Sequence, residues 1–149
     1  MAAPRVSHCI FCDDVRFEVG NKFSFIGVFG PDIGIPIKFP AILPKLAIVV
    51  WTLTDPDDIP DSIQVTVILP DGNEVLKIGS SINRNIENLE GAAKIVTTQI
   101  IPISPMPLPC SGMLEVWIET DQGRMRAGRI RVHSTSTNNE IEKKEASSK

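Results

Sequence analysis

Residues 113–132 read MLEVWIET-DQG-RMRAGRIRV, and this stretch decides the fold. Asp121–Gly123 fits a three-residue hairpin loop, a type I turn with Gly123 in the left-handed bulge position. That register sets Leu114 opposite Ile130, Val116 opposite Gly128, Glu115 opposite Arg129 and Trp117 opposite Ala127. Apolar residues then meet on one face and an opposite-charge pair meets on the other, the pattern of a half-buried antiparallel pair.

The same period of two recurs upstream. Val15, Phe17 and Val19 alternate with Arg16 and Glu18, and Gly20-Asn21 suits a two-residue turn into a return strand, Lys22–Phe29. Arg5–Cys12 is a short apolar run that Asp13-Asp14 is expected to end as a turn. Lys45–Leu53 is apolar at successive positions, as a central strand covered on both faces would be. Ile63, Val65, Val67 and Leu69 alternate with polar residues, and Asp71-Gly72 turns that strand into Glu74–Ile78. Residues 79–91 read as a polar loop and Ala92–Ile103 as the next strand. The segments 31–44 and 102–109 hold four prolines each, so both are expected to be extended connections with little pairing.

These elements predict an all-β chain, an antiparallel β-sandwich of about eight short strands, immunoglobulin-like by first choice and a barrel or jelly roll by second. One domain is expected over residues 1–133, followed by a disordered polar tail over 134–149. The chain of 149 residues has 15 Lys plus Arg against 18 Asp plus Glu, a formal charge of −3, so no general pull toward nucleic acid follows. Hydrophobic residues at 42% with 22% charged are those of a globular chain, which excludes a coiled coil or a fully disordered protein.

The N-terminus lacks the basic segment and apolar run of a signal peptide, and no stretch approaches the roughly 18 apolar residues of a membrane helix. Three sparse cysteines argue against a disulfide scaffold. The expected location is the cytoplasm, with reduced thiols and no membrane association.

The opening carries a more specific signal. Cys12-Asp13-Asp14-Val15-Arg16, then Glu18, Gly20, Lys22 and Ser24, then Gly27-Val28 and Gly30, resemble the start of the uncharacterised bacterial domain-of-unknown-function family numbered 6941. Leu43-Pro44-Lys45-Leu46 and Asp71-Gly72 are similar to its later pattern, and the likeness extends over residues 5–133. Asn21 stands where members often have a second glycine. The resemblance implies a small β-sandwich and brings no activity, cofactor or catalytic residue.

Each chemical candidate carries a structural counter-reading. Cys9 and Cys12, with Cys110 and His8 or His133, have the residue types of a zinc site. Residues three apart on a strand point to opposite faces, however, and Ile10-Phe11 is not a metal knuckle, so buried structural thiols are expected. Asp55, Asp57, Asp58 and Asp61 offer carboxylates to calcium but sit between stiffening prolines, as a solvated turn would. Asp13-Asp14 offers a carboxylate pair for acid–base chemistry, against a plain turn role. Cys110 with a histidine is a thin basis for nucleophilic catalysis, and no Gly-x-Ser-x-Gly elbow or phosphate-binding loop exists.

The partner-binding candidates are Trp117, Arg129, Arg131 and His133, which share the polar face of the last hairpin. Trp117 beside arginines has the character of an interface anchor, and the counter-reading lays its ring over Ala127 and the stem of Arg129. The expected function is therefore non-enzymatic binding of another protein, without a cofactor, and with homodimerisation through a strand edge as a further expectation. A thiol- or zinc-dependent sensor or enzyme on Cys9, Cys12 and Cys110 is the alternative, and an inhibitor encoded by a mobile element or phage is a third. Nucleic acid is not an expected partner, since the basic strand has no interleaved aromatic residues.

Overall fold

The computed structural model describes residues 5–83 and 91–136, and among them the chain is all-β. In chain order the strands are β1 (Val6–Glu18), β2 (Lys22–Val28), β3 (Asp32–Ile35), β4 (Ala41–Leu43), β5 (Leu46–Thr54), β6 (Ser62–Ile68), β7 (Glu74–Ser81), β8 (Ile95–Ile103), β9 (Met106–Leu108), β10 (Gly112–Thr120) and β11 (Gly123–Ser134). They form a four-stranded sheet in the order β2-β1-β5-β8, a five-stranded sheet in the order β3-β11-β10-β6-β7, and a small β4-β9 pair. All ladders are antiparallel except β3 with β11, which makes the larger sheet mixed.

One core lies between the two larger sheets. Phe11 of β1 and Leu46, Ile48 and Val50 of β5 share a buried cluster with Val65 and Val67 of β6, Leu114, Val116 and Ile118 of β10, and Ile130 and Val132 of β11. Burial of each such side chain is worth about 1.5–3 kcal/mol. The apolar run of β5 is a central strand, as expected, and lies between β1 and β8. Its other face buries Ala47 and Val49 with Cys12 in a second cluster, against which Ile10, Val15, Phe25, Trp51 and Ile100 pack.

Several local expectations need correction. Asp13-Asp14 does not end β1, which runs through to Glu18. Gly27, across the ladder, has φ +63°, and Asp13 Oδ2 lies 2.0 Å from where a Gly27 Cβ would stand, so the Asp13 side chain fills the space that a side chain at 27 would need and the pairing continues past it. At its tip Glu18 pairs with Lys22, leaving a three-residue loop of Val19, Gly20 and Asn21. The proline-rich segments do pair. β3 lies parallel to β11, and β4 pairs with β9, where Pro107 opposes Ile42. Strands of three or four residues at a sheet margin need few backbone donors, which is why proline is tolerated there. Strand β7 continues to Ser81 and β8 starts at Ile95, while residues 84–90 of the expected loop lie outside the described residues. Ser134 completes β11 and the Thr135 amide donates to Ile35 O at 2.7 Å; the rest of the expected tail, 137–149, also lies outside the described residues.

Two features fix how the sheets meet. At one end the buried Arg5 guanidinium donates to Asp58 O and Asp58 Oδ1 (3.1 Å each), Thr120 Oγ1 (3.0 Å) and Asp121 Oδ1 (2.7 Å). It thereby ties the start of β1 to the acidic loop and to the β10–β11 turn. In the middle, Val116 pairs with Gly128 but Trp117 pairs with Arg126, so Ala127 is an extra residue, a β-bulge, on β11. The expected hairpin register holds for Leu114, Glu115 and Val116 and shifts by one residue beyond them, so that Thr120 pairs with Gly123 and the loop is two residues long in place of three. Beside the bulge, Cys9 Sγ lies only 2.5 Å from the point where a Gly128 Cβ would stand.

Gly128→Ala is therefore expected to lower the unfolding free energy by about 1–3 kcal/mol. A double-mutant cycle with Cys9→Ala in urea unfolding should recover much of that loss, because the methyl then occupies the space of the sulfur. Equal losses in both backgrounds would show that the sulfur is not what excludes the methyl.

Candidate functional site

The bulge decides which side chains share the outer face of the five-stranded sheet. Along an unbroken strand Arg124 and Arg126 would face away from Arg129 and Arg131. The extra residue puts Ala127 among the buried residues and leaves all four arginines exposed. Met125, Ala127, Ile130 and Val132 turn to the core between them. The sequence reading placed Arg129, Arg131 and His133 together, and the structure brings in Arg124 and Arg126 as well. The signal for this was the small pair Ala127-Gly128, whose lack of bulk suits a bulge.

Trp117 organises one end of this face. Its indole Nε1 donates to Glu115 Oε2 at 2.8 Å, and Arg126 Nη1 donates to Glu115 Oε1 at 3.2 Å. The guanidinium carbons of Arg124 and Arg126 lie 4.6 Å and 5.8 Å from the Trp117 ring centroid, in cation–π range. The ring thus packs with Arg124 and Arg126, where the sequence placed Ala127 and the stem of Arg129. At the other end His133 Nε2 lies 3.0 Å from Asp32 Oδ2. Arg129 stands opposite Glu115 in the ladder, but the ion pair of Glu115 is with Arg126. No ion pair joins Arg129 or Arg131 to a carboxylate among the described residues.

The other candidates fall elsewhere. Cys9 packs on the main core, Cys12 belongs to the second cluster on the opposite side of the sheet, and Cys110 lies between β9 and β10. Among the described residues no group of three or more His, Cys, Asp or Glu is placed to hold a metal ion. In the acidic loop Asp58 accepts from Arg5, and Asp55 accepts from Lys94 at 2.5 Å. Asp14 accepts from Lys45 and from the Val15 amide, and these hydrogen bonds hold its carboxyl below the usual range. A surface the sequence reading missed is the tip of the β1–β2 ribbon, where Phe17, Val19 and Phe23 are exposed and Phe17 meets Phe23 edge-on at 5.2 Å.

Burial pushes the Cys9 thiol up to about 12 from 9.0. Well below pH 9 the thiol is neutral in both folded and unfolded chains, so it adds no pH dependence there. Above that the unfolded chain sheds a proton that folded Cys9 keeps, so stability falls as the pH rises toward 12. The alkaline decline in urea stability is expected to be shallower in Cys9→Ala, and an unchanged decline would assign it to other groups.

With the geometry established, comparison with known proteins gives one match. The model of a family of unknown function, DUF6941, matches residues 7–133 and bears out the resemblance drawn from the opening motif. No curated protein and no solved structure matches the chain.

Proposed function

We propose a binding function for this protein, which belongs to the family of unknown function DUF6941: it is a non-enzymatic module that captures another protein on the outer face of β10 and β11. The observation that carries this reading is the arginine face itself. Arg124, Arg126, Arg129 and Arg131 lie exposed on one side of the sheet, with Trp117 packed at one end. Arginine and tryptophan are the residues most enriched among binding hot spots. Among the described residues Arg124, Arg129 and Arg131 make no ion pair with a carboxylate, which leaves their donors to a ligand. Three unpaired cysteines suit a reducing cytoplasm, and the family resemblance suits a bacterial source with an immunoglobulin-like sandwich.

Affinity capture from a cell lysate with the tagged full chain tests this. A partner retained by the unaltered chain is expected to fall by about tenfold or more with Arg129→Glu or Trp117→Ala, both checked for an unchanged melting temperature. Undiminished capture by both variants would place the binding surface elsewhere.

A second reading, self-association through the free edge of β2, is favoured by that strand's composition. It is seven residues long with no proline and a single charge, Lys22, and Phe23, Ile26 and Val28 are exposed on it. Light scattering is expected to show a dimer that dissociates on Ile26→Lys. A monomer at high concentration would remove this reading.

A further inference from the structure

Resting on the binding role proposed above, we infer that the partner presents an extended acidic segment, with carboxylates at alternate residues, that lies along the arginine side of β11.

Three observations fix this chemistry. The first is charge. The chain carries −3 in total, yet residues 123–134 hold four arginines and no acid. A planar guanidinium grips a carboxylate through two parallel N–H donors, so a strand whose cations are arginines and never lysines suits carboxylates in particular.

The second is spacing. Arg124 with Arg126, and Arg129 with Arg131, stand two residues apart on a strand, a repeat of roughly 6.8 Å. An extended peptide with acids at every second position has the same repeat, so successive carboxylates meet successive guanidinium groups without bending either chain, Arg126 using the donors that Glu115 does not take. The bulge at Ala127 carries the match past the midpoint, because it returns the second pair to the face of the first.

The third is the border. Glu115 and Glu119 of β10 flank the stripe on one side, and Asp32 of β3 flanks Arg131 on the other. These carboxylates confine an anionic ligand to the line of β11. They also oppose a nucleic-acid backbone, whose phosphates would spread beyond a single strand. The Trp117 ring is occupied by Arg124 and Arg126, so it offers no open platform for a base.

The test uses the full chain and a fluorescein-labelled ten-residue peptide of alternating Glu and Thr, followed by anisotropy at about 50 mM salt. Saturable binding is expected, weakened about tenfold or more by Arg129→Gln with Arg131→Gln. The corresponding Arg→Lys pair, which keeps charge but loses the two-pronged grip, is expected to fall between. A peptide with Gln in place of Glu should not bind, and one with all its Glu in a block should bind at least about threefold more weakly.

No saturable binding, or binding that is indifferent to the arginine substitutions, would overturn the inference. So would equal affinity for the block peptide, or tighter binding of a single-stranded oligonucleotide. If the alternating peptide fails while Arg129→Glu still abolishes capture of a cellular partner, the binding role stands and the acidic-segment inference falls.

Discussion

The close approach of β1 to β11, where Cys9 Sγ fills the space beside Gly128, is the contact on which the rest of the arrangement turns. A Cβ at position 128 would stand 2.5 Å from the sulfur, so this part of the core closes only around a glycine. Next to that glycine β11 carries its extra residue, and the consequence is double. On the inner side, Ala127 and Gly128 become a flat patch that admits β1. On the outer side, the alternation of the strand is reset, so that Arg124 and Arg126 join Arg129 and Arg131. One packing constraint thus shapes both the core and the candidate binding face.

The edges of the structure follow a different rule, in which charge is placed where apolar packing runs out. Burial lowers the pKa of the Arg5 guanidinium, but its hydrogen bonds to Asp121 and Asp58 and their charges outweigh that and raise it. A buried cation whose partners come from two loops makes those loops depend on it, because loss of the pair would leave an uncompensated charge. At the opposite margin Val15 and Phe25 pack against the outer face of β5, with Phe25 edge-on to Trp51 at 5.7 Å. That cover explains how a strand can be buried on both faces in a chain with no described helix.

The legible parts of this molecule were those whose signal is local. The alternation of Leu114, Val116 and Ile118, and the unbroken apolar run of β5, each state their own burial pattern. Trp117, Arg129, Arg131 and His133 were assigned to the polar face by simple parity. What parity could not supply was a break in parity. The bulge lies beside Cys9, far away in the chain, and the small pair Ala127-Gly128 is its one local trace in the sequence. The proline-rich segments were misread for a similar reason, since the pairing of β4 depends on β9 and that of β3 on β11. Asp13 has the character of a turn residue in the sequence, and the glycine that leaves room for it stands on the neighbouring strand.

The most direct test of the central claim is the pairing of β10 with β11 in solution, measured by cross-strand nuclear Overhauser effects on the isotopically labelled chain. The account predicts backbone contacts of Trp117 with Arg126, and indole contacts with the side chains of Arg124 and Arg126. Backbone contacts of Trp117 with Ala127, and an indole ring lying over Arg129, would instead show an unbroken register. The four arginines would then be divided between two faces, and both the bulge and the binding face built on it would be wrong.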